Sequence, residues 1–167
     1  DYSTISNFKL NYKSILPHVF YFTIHHMLYG QNNGAQIKIV SANSGNLKES
    51  INLLLNKLGV NINKPDIHME QYDKNEILKH LDATVFVDDS CKNIVNIYKN
   101  KVNIPTLQQL IYVIPERKEY YNIDLDKPLN LCNNVPEWNS MKAEEFEQNV
   151  VAGQKDGVTK METPYFN

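Results

Sequence analysis

Residues 85–93 have the sequence VFVDDSCKN, a short apolar run followed by two acidic residues. Valine and phenylalanine favour strands, and a continuous apolar run is typical of a strand that is buried on both faces. Asp88 and Asp89 end this run, and apolar residues at helical spacing follow over 91–100. The stretch therefore predicts a buried strand that leads through a polar turn into a helix.

The same alternation of helix and strand extends toward the N-terminus and as far as residue 114. Amphipathic periodicity predicts the helices, and short apolar runs bounded by turn residues predict the strands. Alternation of this kind indicates an α/β fold with three layers and a mainly parallel sheet. The predicted helices lie at about 14–29, 47–58, 73–81 and 91–100, and the predicted strands at 35–40, 67–72, 83–87 and 110–114.

The pattern weakens after residue 132. We therefore predict an α/β domain over residues 1–132 and a C-terminal extension over 133–167, with one short helix near 140–151. Trp138 and the adjacent aromatic pair Tyr165 and Phe166 are expected to anchor the extension to the domain or to a protein partner.

Charge and composition restrict the class of partner. The chain has 167 residues and a formal net charge of −2, and Arg117 is its single arginine. Nucleic-acid grooves and anionic membranes require clustered positive charge, so both are disfavoured. The longest apolar stretch, 15–29, is interrupted by Pro17 and is shorter than the roughly 20 residues that cross a membrane.

The cysteine content suggests a cellular compartment. Cys91 and Cys132 are the two cysteines of the chain, too few for a disulfide-stabilised scaffold. A reducing, cytoplasmic location is the simpler expectation. Cys91 lies beside the acidic pair and could be a nucleophile, but no histidine is near it in sequence, so a structural thiol is expected.

Polar residues follow two of the predicted strands where a parallel sheet gathers its ligands. Asp88 and Asp89 offer the hard oxygen ligands that Mg²⁺ prefers. Ser41, at the end of strand 35–40, could donate a hydrogen bond to a phosphate oxygen. Lys74, or as a second choice Lys79, could neutralise the remaining phosphate charge. These residue types predict a Mg²⁺-dependent phosphate site.

Three segments, in this order, resemble the haloacid dehalogenase (HAD) superfamily. Residues 37–41, Lys74 and residues 85–93 match the second, third and fourth motifs of that family in spacing and in the helices between them. The resemblance covers roughly residues 1–115. It implies a Rossmannoid fold and phosphoryl-transfer chemistry that depends on Mg²⁺.

The resemblance also implies a role for each matching residue. Asp89 would bind Mg²⁺ directly, and Asp88 would support the metal or its waters. Asn93 stands where the family often has a second acidic residue at the metal. Ser41 would hydrogen-bond the transferring phosphoryl group, and Lys74 would hold the phosphate and the nucleophile in place.

The first motif of the family is incomplete in this chain. The family has a nucleophilic aspartate and, two residues later, an acid/base aspartate, whereas the chain begins Asp1-Tyr2-Ser3-Thr4. Asp1 is either the nucleophile and a metal ligand, with Ser3 in the acid/base position, or the second aspartate, with the nucleophile upstream. The central strand that precedes this motif must come from an upstream segment, another chain or a local rearrangement; the upstream segment is favoured.

Each of these residues also has a purely structural interpretation. Asp88 and Asp89 could cap the helix that follows them, Ser41 could satisfy a loop, and Lys74 could be a solvated helix charge. The histidines at positions 18, 25 and 26 lack carboxylates at ligand spacing, so a metal site there is disfavoured.

Two functions from different classes remain open. The first is a Mg²⁺-dependent phosphohydrolase or phosphotransferase that acts on a phosphomonoester, either a small molecule or the phosphorylated end of a macromolecule. The second is a catalytically degenerate HAD-like module with a structural role in a larger assembly. The fourth motif favours the first function, and the incomplete first motif favours the second.

Overall fold

A computed structural model describes residues 18–114, 119–129 and 157–161. The predictions for Asp1 and Ser3, for Cys132, and for most of the extension lie outside these residues. The chain divides into two compact units, with the boundary between Tyr72 and Asp73.

The described residues of the first unit form two α-helices and a short two-stranded sheet. The helices are α1 (His18–Asn32) and α2 (Lys48–Lys57), and the strands are β1 (Ile39–Val40) and β2 (Ile67–His68). The two strands are parallel, with Ile39 opposite Ile67. Both are much shorter than predicted. The core of this unit consists of Ile24, Ile51, Leu55, Val60, Ile62 and Ile67.

The described residues of the second unit form a four-stranded sheet and two α-helices. The helices are α3 (Asn75–His80) and α4 (Cys91–Lys99). The strands, in their order across the sheet, are β3 (Val85–Asp88), β4 (Gln109–Ile114), β5 (Glu119–Ile123) and β6 (Val158–Met161). The fold is therefore mixed α/β.

The four-stranded sheet is mixed, whereas the sequence predicts a mainly parallel sheet. β3 and β4 are parallel, whereas β5 is antiparallel to β4 and β6 is antiparallel to β5. Only residues 115–118 separate β4 from β5, a connection that suits a hairpin, since a parallel partner needs a crossover of a dozen residues or more. β6 comes from the predicted C-terminal extension.

One face of this sheet packs against α4 and forms the core of the second unit. Ile94 and Ile97 of α4 are completely buried there. Ile111, Val113 and Tyr120 point to the opposite face, because side chains alternate along a strand, and they are buried as well. Both faces of the sheet are therefore withdrawn from solvent at these positions.

Two expectations about location can be compared with the structure. In the described part of the chain, no helix is both long enough and apolar enough to cross a membrane. Cys91 is completely buried and disulfide-bonded, so the expectation of a structural thiol is wrong. Sequence spacing does not show whether the fold brings a cysteine to a partner. Disulfides persist mainly in oxidising compartments, so this bond does not support the reducing location expected.

Candidate phosphate and metal site

The turn between β3 and α4 fixes the orientation of Asp88. Ser90 is the N-cap of α4, and its hydroxyl oxygen accepts a hydrogen bond from the backbone N–H of Asn93 over 3.3 Å. The backbone N–H of Ser90 in turn donates to Asp88 Oδ1 over 2.8 Å. Helix capping therefore places the carboxylate of Asp88 beside the first turn of α4.

Two side chains hold the other oxygen of this carboxylate. Lys74 Nζ and Asn93 Nδ2 each donate to Asp88 Oδ2 over 3.0 Å. Lys74 and Asp88 are each only 9% exposed, so their ion pair lies out of solvent. Lys74 Nζ also lies 5.9 Å from the centre of the Phe86 ring. The structure thus brings together three of the predicted site residues.

The ammonium group of Lys74 has unused hydrogen-bonding capacity. A lysine ammonium carries three N–H donors, and within the described residues Lys74 donates to Asp88 alone. A buried donor without a partner is costly. The two remaining donors therefore suit an oxyanion that enters beside Asp88.

Asp88, in contrast, is almost fully occupied. A carboxylate has about four acceptor positions. Two donors approach Oδ2 and one approaches Oδ1. One acceptor position remains on Oδ1, and the side chain of Asp89 lies within hydrogen-bonding reach of the same carboxylate.

Asp89 supplies the second carboxylate of the site. The residue is exposed, yet desolvation by the surrounding protein and the charge of Asp88 together raise the pKa of Asp89 to about 6. A side-chain hydrogen bond with Asp88 contributes to the same rise, so the two carboxyl groups adjoin each other. A cation bound beside them would reduce the repulsion between their charges.

The donor set fits Mg²⁺ only in an open coordination shell. The described residues contain no group of three or more acidic, histidine or cysteine side chains that could hold a metal. Mg²⁺ is often held by one or two carboxylates, with waters and substrate phosphate completing the shell. Asp88 and Asp89 meet that requirement. Asn93 turns its amide nitrogen toward Asp88.

Ser41 lies in the first unit, directly after β1. Its backbone N–H donates to the carbonyl of His68, and its carbonyl accepts from the N–H of Gln71, both over 2.9 Å. Its hydroxyl oxygen accepts from the backbone N–H and the side-chain amide of Asn43, over 3.1 and 2.9 Å. Both acceptor positions of the hydroxyl are filled, so its proton is available to donate.

Two contributions to these sites were not predicted from the sequence. Asn43 orients the hydroxyl of Ser41, and a polar residue two positions after a serine is a local signal for such a turn. Phe86 contacts Lys74, and nothing in the sequence spacing indicates this. Lys79, the second choice for the phosphate ligand, is exposed on α3.

The chain matches no protein-family model, no curated protein and no solved structure. The resemblance to the HAD superfamily therefore depends on the order of its motifs.

Proposed function

We propose that the chain is a Mg²⁺-dependent phosphohydrolase or phosphotransferase of HAD type that acts on a phosphomonoester. The observation that carries the proposal is the buried ammonium of Lys74, which retains two donors beside a pair of carboxylates. A phosphate group needs both hydrogen-bond donors and neutralised surroundings, and this cluster has the donors. A cation beside Asp88 and Asp89 would offset the repulsion between these carboxylates and the phosphate.

Each residue of the cluster would contribute separately to the reaction. Lys74 would donate to a phosphate oxygen, while Asp88 holds the ammonium in place. Asp89, with Oδ1 of Asp88, would hold Mg²⁺, which when bound withdraws charge from the phosphoryl group. Ser41, in the first unit, remains a proposed hydrogen-bond donor to phosphate. Asp1 remains the proposed nucleophile or acid/base and lies outside the described residues.

A three-layer HAD-like fold belongs to the same proposal. It is supported by the burial of Ile111, Val113 and Tyr120 on the face of the sheet opposite α4. A sheet that is covered on both faces is what a three-layer architecture requires. Small phosphorylated molecules and the phosphorylated ends of macromolecules both remain proposed substrates.

Turnover of an aryl phosphate by the full chain tests the proposal. We expect Mg²⁺-dependent hydrolysis that EDTA abolishes. Lys74→Met and Asp89→Asn should each lower kcat/KM by about a hundredfold or more, because each removes charge stabilisation at the phosphoryl group. Lys79→Met, which removes an exposed lysine of α3, is the matched control and should retain activity. A folded wild-type chain without turnover would contradict the enzyme proposal.

A catalytically degenerate, structural module is the second candidate. The observation that favours it is the near-complete occupation of Asp88 by protein donors, since the carboxylate is largely satisfied without a ligand. This proposal expects neither turnover nor Mg²⁺ binding from a chain that folds normally. Calorimetric titration of the wild-type chain with Mg²⁺ separates the two candidates.

A further inference from the structure

The side chain of Asn93 has an unusual place in the first turn of α4. Asn93 is the third helical residue after the N-cap, a position where glutamate or glutamine commonly accepts the N-cap backbone N–H. Here Asp88 Oδ1 accepts that N–H from Ser90. The side chain of Asn93 is therefore released from the capping role.

The contact with Asp88 fixes which atom of Asn93 faces the site. An ionised carboxylate only accepts hydrogen bonds, so the group that meets Asp88 Oδ2 over 3.0 Å must be the NH₂ of the amide. With Lys74 on the same oxygen, Oδ2 has no acceptor position left. An aspartate at position 93 would instead place a second negative charge against Asp88.

We infer that Asn93 is a positioning residue, and not a metal ligand: its amide NH₂ fixes Asp88 Oδ2, so that Asp88 offers only Oδ1 to a cation. Asp88 Oδ1 and the carboxylate of Asp89 would then hold the cation. The inference deepens the proposed function and rests on it.

Three substitutions of Asn93 distinguish a hydrogen-bond donor from a metal ligand. In Asn93→His, ring Nδ1 occupies the place of the amide nitrogen and can donate, while imidazole is a poor ligand for Mg²⁺. Asn93→Leu keeps the shape without a donor, and Asn93→Asp replaces the donor with a carboxylate. A positioning role requires a donor, whereas a ligand role requires an oxygen.

Calorimetric Mg²⁺ titration of the full-length variants is the test, with circular dichroism to confirm the fold. We expect Asn93→His to bind Mg²⁺ within about threefold of wild type, and Asn93→Leu and Asn93→Asp to bind at least about tenfold more weakly, which is typical of lost support around a metal ligand. Binding that survives in Asn93→Asp but not in Asn93→His would overturn the inference, as would equal losses or no loss in all three folded variants.

The same variants separate this inference from failure of the proposed function. A wild-type chain that binds no Mg²⁺ refutes the proposed function. In that case the stability of the metal-free variants still decides whether residue 93 holds Asp88. If Asn93→His is about as stable as wild type and Asn93→Leu is clearly less stable, the hydrogen bond from residue 93 to Asp88 is supported. Equal stabilities of the two variants would overturn it.

Discussion

Asp88 and Lys74 depend on each other because both are buried. An ion pair out of solvent is not itself strong evidence of stability, since both charges lose their hydration. Removal of one partner is much worse, because it leaves the other charge buried and unpaired.

Replacement of Asp88 by asparagine should therefore destabilise the second unit strongly. We expect Asp88→Asn to lower the free energy of unfolding by about 3 kcal/mol or more, since it leaves the buried ammonium of Lys74 without a counter-charge. The double variant Lys74→Met/Asp88→Asn should recover part of the loss. Urea unfolding measures both, and Lys79→Met is a control expected within about 0.5 kcal/mol of wild type. A double variant no more stable than Asp88→Asn would contradict this explanation.

His26 should make stability depend on pH. Burial, and secondarily the charge of His25, lower the pKa of His26 from its ordinary 6.5 to about 4. Between these values the unfolded chain binds a proton that the folded chain does not, so stability falls as the pH falls from 6.5 to 4. The shift corresponds to a loss of roughly 3 kcal/mol.

Urea unfolding at several pH values tests this dependence. Asn or Gln cannot titrate, so His26→Gln should flatten the curve between pH 6.5 and 4. His25→Gln replaces an exposed neighbour and should leave most of the dependence in place. Parallel curves for the wild type and His26→Gln would show that another group is responsible.

The proximity of Lys74 to the acidic pair could be predicted from the sequence, but not the direction of the hydrogen bonds around Asp88. The order of Lys74 and the acidic pair indicated that they share a site, and Lys74 does contact Asp88. The donor role of Asn93 could not be predicted, because it depends on Asp88 taking the N–H of Ser90. Spacing along the chain does not show which of two residues satisfies a helix end.

At the level of elements, helices were easier to predict than strands. Helices α2 and α4 end within one residue of their predicted limits, because each buries a stripe of apolar residues at helical spacing. β5 was missed because its sequence, EYYNI, begins with a charge and has no continuous apolar run. A strand that forms because of its pairing with neighbouring strands has little strand-specific pattern in its own sequence.

The turn into β6 gives a test of the sheet. Gly157 has φ +82°, and a Cβ there would lie 3.3 Å from Cβ of Lys127. Gly157→Ala should therefore cost more than the roughly 1–2 kcal/mol of a positive φ alone. Gly34→Ala isolates that cost, since Gly34 has φ +88° and no neighbour within 4 Å. Gly45→Ala, with ordinary φ, should be nearly neutral. Equal midpoint temperatures of thermal unfolding for the three variants would contradict this ranking.

At the scale of the whole molecule, each unit has its own core. Leu55 belongs to the apolar cluster of the first unit and Ile94 to that of the second. No strand pairing joins the two described sheets. Each unit is therefore expected to open with its own free energy of local unfolding.

Amide hydrogen exchange in variants with truncated core side chains tests whether the two units open separately. We expect Leu55→Ala and Ile94→Ala each to cost about 2–5 kcal/mol locally. Leu55→Ala should speed amide exchange mainly over residues 24–67, and Ile94→Ala mainly over residues 86–123. Equal acceleration of both ranges by both variants would indicate one cooperative unit instead.

The pairing of β6 with β5 has a consequence for synthesis. β6 lies far along the chain from β5, beyond residues 124–157, and still completes the same sheet. On the ribosome, β3, β4 and β5 emerge well before their fourth strand. Until Val158 has left the exit tunnel, the outer edge of β5 lacks this partner. During that interval nascent chains are most prone to aggregate by strand pairing at this edge.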